Sequence, residues 1–469
     1  MVVIDAKYEK ARDRLRANLR LASKQLTIYD QYLDGDQPLK FLSPLLKEQL
    51  GTKATEVIVN IARHATDAYE NRLDIEGFRL GGKDDADDEL WQVWQHNEGD
   101  LLSQQAHFET LGLSRAYTIT GEGDDSVPLI TLHSPFDALH EDDVRTHQVR
   151  YGFLQWTDED GVKWEELYHP NGRYTWWRDT KRREWVYDSH EDNDFGLPRM
   201  VPLINDPRML GRKRPGRLDQ RLGRSVFHDV IPLADALNKT LTDMMTSLEF
   251  HAMPRRWATG LSEDDFVDEE TGKPLATFEL IAGRMWGVES KDVKFGQFPE
   301  ADLTNFHSTG KMLMQVAAQL LGLPPHYLSF AGDNPASADA IRSSESQLVK
   351  KAERKQAILA SRWERVQRLV LLTQGKPDND DAKQIETLWR DPATPTIAQK
   401  ADATVKLVQA KDSEGRSIIT VDQAREDLGY TSTQRGRMRD ADATAGDAAL
   451  QAAVQAAAEA ERAASANAA

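Results

Sequence analysis

The chain has 469 residues, no cysteine, and 76 acidic side chains against 59 Lys and Arg, for a formal charge of −17. Disulfides and thiol chemistry are thereby excluded, and a tight grip on nucleic acid over a large surface is disfavoured, because such surfaces are basic. A hydrophobic fraction of 40% supports a core, while a mean hydropathy of −0.60 and no apolar run of 18 residues leave no membrane span.

In chain order, the N-terminus mixes charges and lacks the apolar stretch of a signal peptide. Residues 4–34 read as an amphipathic helix with Ala11, Leu15, Leu19, Ala22 and Leu26 on one stripe. "YLDGDQPLKFLSP" breaks it, and a second helix is expected over 54–72, with Val57, Ile61, Ala65, Ala68 and Arg72 at helical spacing. Residues 85–113 hold a third helix and a fourth. "RAYTITGEG" and "PLITLHSP" then read as short strands, and residues 148–189 as a four-strand meander with hairpin turns at Asp160-Gly161 and Asn171-Gly172. Five of the 11 tryptophans fall there: Trp156, Trp164, Trp176, Trp177 and Trp185. Base stacking is one use for them; sheet core and cross-strand pairing is the simpler one.

Residues 208–224, "RMLGRKRPGRLDQRLGR", form a basic linker with seven Arg and Lys. A helix over 225–250 follows, striped by Val226, Val230, Ala234, Leu237, Leu241, Met244 and Leu248; Pro232 either kinks it or marks its true start. Glycine-punctuated residues 254–299 suggest a small α/β module. A helix over 302–322 stops at Gly322-Leu323-Pro324-Pro325. After the turn "AGDNP", with Asn334 placed to cap and Pro335 at the first helical position, one long helix is expected over about 336–373. Ile341, Leu348, Ala352, Leu359, Trp363, Val366 and Val370 stripe it, and at 1.5 Å per residue the rod is roughly 55 Å long. Residues 396–410 and 420–428 are helical, the tail from 441 is Ala-rich, and no internal repeat is present.

Catalytic motifs are missing. "GRKRPGRL" (211–218) has the two glycines of a phosphate loop without its Lys and Ser/Thr. "DEDG" (158–161) lacks the first aspartate and distal glutamate of a calcium loop, and His140-Glu141 has no second histidine at zinc-protease spacing. The acidic run at 83–89 reads as solvated surface rather than a cation site. Neither a cofactor nor a metal is expected, and the chain does not read as an enzyme.

Several segments together resemble the portal (head–tail connector) proteins of long-tailed bacteriophages. They are "YLDGDQPLKFL" (32–42), "ENRLDIEGFRL" (70–80), "LWQVWQHNEGDLLSQQAHFETLGLSRAYTIT" (90–120), "GRSVFHDVIPLADALNKTLTDMM" (223–245) and "LGLPPHYLSFAGDNPASADAIRSSESQLVKKAERKQ" (321–356). The resemblance spans roughly 30–430 and implies a predominantly helical α+β fold assembled as a ring around a central channel. It divides the chain into a wing (1–224), a first stem helix (225–253), a clip (254–300) and a second stem helix (301–322). A tunnel loop (323–337), a long wing helix with its connection (338–395) and a crown with the Ala-rich tail (396–469) complete it.

The function implied is a ring of about twelve copies at one capsid vertex, through which double-stranded DNA is packaged and ejected without sequence recognition. The terminase large subunit, a head–tail adaptor, and the major capsid and scaffolding proteins are the implied partners; no membrane is involved. The implied location is the virion, with the host cytoplasm during assembly. Phe330, Ala331, Gly332, Asp333, Asn334 and Pro335 would form the tunnel loop. Trp257, Phe266, Phe278 and Trp286 would serve docking at the clip. Arg212, Lys213, Arg214, Arg217, Arg221 and Arg224 would touch DNA or bridge to an acidic neighbour. The bridge is favoured, because twelve copies at −17 make a ring of about −200. An acidic wall repels phosphate within a Debye length of ~8 Å, which favours sliding over sticking. The competing readings are an enzyme of the packaging machinery, which lacks its phosphate loop, and a scaffold without a pore.

Overall fold

Burial of the N-terminal stripe organises the first part of the chain. In the computed structural model, residues 5–40, 57–83, 86–123, 126–179, 181–208, 220–252, 256–259, 294–297, 303–328, 338–393, 395, 397–430 and 434–445 are described. Helix α1 (Ala6–Asp34) buries Ala11, Leu15, Leu19, Ala22 and Leu26, as its spacing predicts. Its Tyr8, Ala11, Leu15 and Leu19 pack on Tyr151, Phe153, Leu167, Tyr174 and Trp176. Those residues belong to a five-stranded antiparallel sheet in sequential order: β4 (Ala138–Asp142), β5 (Val149–Thr157), β6 (Lys163–His169), β7 (Gly172–Arg178) and β8 (Trp185–Asp192). The predicted meander is thus β5–β8, with β4 added at its edge.

Strand alternation divides the work between the two faces of this sheet. Tyr151, Phe153, Glu165 and Leu167 share the α1 side; Leu154 and Tyr168 join Tyr117, Ile119 and Met200 on the other. The second group belongs to a three-stranded sheet ordered β3 (Pro128–His133), β2 (Arg115–Glu122), β9 (Met200–Ile204). Gly152 permits the close approach of the two sheets: a Cβ there would lie 2.7 Å from Met200 Sδ. The tryptophans serve the sheet. Trp156 faces Trp164 across β5 and β6, with rings stacked at 6.1 Å, and Trp176 is buried.

Arg16 of α1 donates to the buried Glu165 carboxylate, and the Arg12 guanidinium lies 4.7 Å over Trp176. Burial pushes the Glu165 carboxyl upward, and hydrogen bonding and charge from Arg16 oppose that shift.

The chain divides into two compact units, one from Met1–Tyr29, Thr66–Val226 and Glu345–Ala469, the other from Asp30–Ala65 and Phe227–Ser344. The predicted second helix is shorter than 54–72: α2 spans Ile61–Glu70. Asn60 sets its start by accepting from the Arg63 backbone N–H at 2.8 Å, and residues 57–60 are not helical; 54–56 lie outside the described residues. Strand β1 (Ile75–Arg79) is absent from the sequence reading because its partner, β12 (Glu386–Trp389), is some 300 residues away. Helices α3 (Asp88–His96) and α4 (Gly99–Leu113) match expectation.

A second core forms where the long helix α7 (Ala338–Thr373) passes through the first unit. Leu348, Ala352, Leu359, Trp363, Val366 and Val370 are buried as predicted; Ile341 is not. Trp363 meets Trp94 edge-on at 5.1 Å, and its Nε1–H donates to His107 Nε2 at 2.8 Å. Burial holds the His107 imidazole neutral, lowering its pKa to about 3. The expected helices near the C-terminus are α8 (Ile397–Gln409) and α9 (Val421–Asp427), and residues 434–445 are also helical.

Two outcomes follow from this packing. Gly223 has φ +85°, and a Cβ would lie 2.5 Å from Ser114 O and 2.6 Å from Asn205 O. Gly223→Ala therefore lowers unfolding free energy by about 2–4 kcal/mol in chemical denaturation. His107 is neutral in the fold, whereas the unfolded chain takes up a proton below about 6.5. Its contribution is complete above that pH and falls as pH drops toward 3, by at most ~1.4 kcal/mol per unit. The stability slope between pH 6.5 and 4 is correspondingly shallower in His107→Gln.

Candidate functional site: a helix pair framing an insertion

The second unit centres on two helices, α5 (Ile231–Ala252) and α6 (Thr304–Leu321). Pro232 marks the start of α5 rather than a kink, since in the first turn its missing N–H leaves no helical bond unmade. Helix α6 stops at Gly322, φ +76°, where Gly322 N–H donates to Gln319 O and Leu323 N–H to Ala318 O. Between the helices, strands β10 (Arg256–Thr259) and β11 (Lys294–Gln297) pair antiparallel, Arg256 opposite Gln297 and Thr259 opposite Lys294. That ladder brings the two ends of the intervening segment together.

A polar row anchors α5. Asp235, Asn238 and Thr242, spaced three and four, fall on one helical face. The buried Asp235 carboxylate accepts from Tyr32 Oη, and from Lys40 Nζ at 2.9 Å. Asn238 Oδ1 accepts from Val59 N–H at 2.9 Å and Thr242 Oγ1 from Val57 N–H at 3.2 Å. The row thus satisfies backbone donors of a segment with no helix or strand of its own.

The apolar residues divide into two sets. Ala234 and Leu237 of α5 are buried, as are Gly310, Ala317, Ala318 and Leu321 of α6, with Leu237 Cδ1 3.7 Å from the Cβ position of Gly310. The stripe predicted through Leu248 is a core only in its first half: Leu248 is 40% exposed and so is Met245. On α6, Met312, Val316 and Leu320 recur every four residues and are 55%, 39% and 52% exposed. Apart from Lys311, α6 carries no formally charged side chain. A helix apolar on both sides belongs in contact with something on both. The sequence signal for this surface was the scarcity of charge over 304–321, which reading it only as a helix passes over.

The sequence-predicted site residues fall unevenly. Phe330, Ala331, Gly332, Asp333, Asn334 and Pro335 lie outside the described residues, as do Arg212, Lys213, Arg214, Arg217, Phe266, Phe278 and Trp286. Trp257 lies in β10. Arg224 is fixed in the first unit by its backbone: its N–H donates to Asn205 O at 2.9 Å, and Asn205 Nδ2 donates to Arg224 O at 2.5 Å. Arg221 acts with Arg362, His147 and Arg365 on the Asp142 carboxyl of its own chain, against the burial that raises that carboxyl's pKa. Among the described residues, no group of three or more His, Asp or Glu is placed to hold a metal, and no helix is long and apolar enough to cross a membrane.

Paired helices around an insertion, with an apolar row left exposed, suit a scaffold built for contact, and the family that the chain matches is one of structural components of the phage particle. The chain belongs to the family described as "Phage portal protein, SPP1 Gp6-like", whose model matches residues 3–419. It is similar to the portal protein of Mycobacterium phage D29, 32% identical over 442 residues, covering 92% of this chain and 87% of the relative. The portal protein of Mycobacterium phage L5 is 32% identical over 432 residues, covering 89% and 85%. Among solved structures, the neck of an empty GTA particle, computed with C6 symmetry, aligns with 84% of this chain and 95% of its own at 14% identity. Its TM-score is 0.44.

The polar row gives a direct test. Asn238→Ala leaves Val59 N–H without its acceptor and lowers stability by about 1–3 kcal/mol in thermal or urea unfolding. Thr242→Ser, which keeps the acceptor, changes it by less than about 0.5 kcal/mol.

Proposed function

We propose that this portal-family chain acts as one of about twelve identical subunits in a closed ring at a single capsid vertex. The ring encloses a channel for double-stranded DNA during packaging and ejection. The observation that carries the reading is the row Met312, Val316 and Leu320: apolar side chains left exposed on α6, a helix whose Gly310 already meets Leu237 of α5. A neighbouring copy covers it most simply, since a closed ring repeats one head-to-tail contact at every interface, this row against a second surface of the next copy. The charge of −17 supports a channel that passes DNA without holding it.

In this reading the wing comprises 1–224 and the long helix beyond 337. Residues 225–253 and 301–322 are the stem, and 254–300 the clip. Residues 323–337 are the tunnel loop, and 396–469 the crown. Trp257, Phe266, Phe278 and Trp286 take part in docking the packaging motor, including the terminase large subunit, and later the head–tail adaptor. Phe330 through Pro335 narrow the channel. Arg212, Lys213, Arg214, Arg217, Arg221 and Arg224 pair with acidic groups of a neighbour. Major capsid and scaffolding proteins surround the ring, and assembly takes place in the host cytoplasm.

Val316→Asp and Leu320→Asp test the interface. Each places a charge in a surface meant to be desolvated and shifts the purified protein from ring to monomer in native mass spectrometry, while leaving its circular dichroism unchanged. Assembly at wild-type concentrations in both variants would remove the basis for the reading. Deletion of 331–335 lowers DNA retention in particles at least severalfold; unchanged packaging and retention would remove the loop's role.

A further inference from the structure

Arg362, Arg365 and Arg368 recur every three residues along α7. Arg368 shows what this helix does with a satisfied arginine: its Nε and Nη2 donate to the two oxygens of Asp378 at 2.8 and 2.6 Å, a bidentate pair within the chain. Arg362 and Arg365 have no such partner among the described residues. Both are half-buried, and Arg362 Nε is fully buried with no hydrogen bond. Among the described residues, Asp142 is the one carboxylate whose charge acts on either, and it is shared between them. Burial and the like charges of Arg362 and Arg368 all disfavour the Arg365 cation where it stands.

Arg365 also lines a cavity of about 520 Å³ with Asp143, Arg145, Thr146, Gln148 and Arg150. Asp143, the one carboxylate in that lining, is already occupied: its Oδ1 accepts from Arg145 N–H at 2.9 Å and Thr146 N–H at 3.0 Å. Three arginines, Arg145, Arg150 and Arg365, therefore line this cavity with the single carboxylate of Asp143, in a chain whose overall balance is strongly acidic. Desolvation disfavours both cations, and a carboxylate brought beside them would offset it.

We propose that Arg365, with Arg362 beside it, is one half of an ion pair whose carboxylate is contributed by a second copy of the chain. The occupant is inferred from size and charge. The cavity admits one or two side chains and not a nucleic-acid duplex, and a chain with 76 acidic residues presents carboxylates on any neighbour it meets. The inference rests on the ring reading, and adds to it an electrostatic contact in the first unit, apart from the apolar surface of α5 and α6.

The full-length variants Arg365→Gln, Arg365→Lys and Arg368→Gln separate the possibilities. Assembly is followed by native mass spectrometry across a dilution series, and subunit stability by thermal unfolding below the assembly concentration. Arg365→Gln raises the concentration for half-assembly at least tenfold without lowering the subunit's melting temperature, and Arg365→Lys restores part of the loss. Arg368→Gln does the reverse, lowering the melting temperature through loss of its internal pair. The proposal is overturned if Arg365→Gln assembles at wild-type concentrations, including the case where only DNA retention in particles falls, which would assign the site to phosphate. It is also overturned if Arg365→Gln melts as low as Arg368→Gln. Failure of the wild-type chain to assemble at all would instead remove the ring reading on which the proposal stands.

Discussion

The first unit depends on the seating of Trp363. Its indole packs edge-on against Trp94 and donates its only hydrogen bond to His107, so one side chain of the long helix ties α3 and α4 to α7. An indole N–H buried without an acceptor, or an imidazole buried as a cation, would each cost several kcal/mol; here the indole N–H is satisfied by the Nε2 of a neutral imidazole. With that contact made, Phe78 packs at 5.2 Å against Trp94, and β1 pairs with β12 from the far side of the sequence. A helix of 36 residues becomes a rigid support because its middle is held in this way.

The same logic of completed and uncompleted burial separates structure from function. In the first unit, α1 closes one face of the five-stranded sheet and the smaller sheet closes the other, so its strands have little left to offer a partner on those faces. In the second unit, the helix pair is closed on one side only. The polar row of Asp235, Asn238 and Thr242 satisfies its own chain, whereas the apolar row on α6 has nothing of its own chain over it among the described residues. In the proposed ring, assembly rather than folding completes this surface.

Much of this was legible in the sequence where the signal is local. The stripe of α1, the hairpin signals Asp160-Gly161 and Asn171-Gly172, the stop at Gly322 and the stripe of α7 from Leu348 onward each state their structure within a few residues. β1 and β12 escaped because a two-stranded pairing between distant short segments leaves no periodicity to read. The start of α2 was misplaced because Val57 continues a helical spacing in sequence, while Asn60 caps three residues later and the polar row of α5 claims the preceding backbone. Leu248 was assigned to the core because a stripe alone does not say whether its partner lies in the same chain. Arg362 and Arg365 of α7 were illegible for a related reason: the sequence does not reveal that Asp378 hydrogen-bonds Arg368 while, among the described residues, no carboxylate does so for Arg365.

Ring closure is a matter of geometry, and cryo-electron microscopy of the purified full-length assembly decides it. The expected result is a closed annulus of about twelve copies, with a bore wide enough for a DNA duplex and the outward residues of α6 covered by an adjacent subunit. A population of monomers or open chains, or a closed ring with Met312, Val316 and Leu320 left facing solvent, would contradict it.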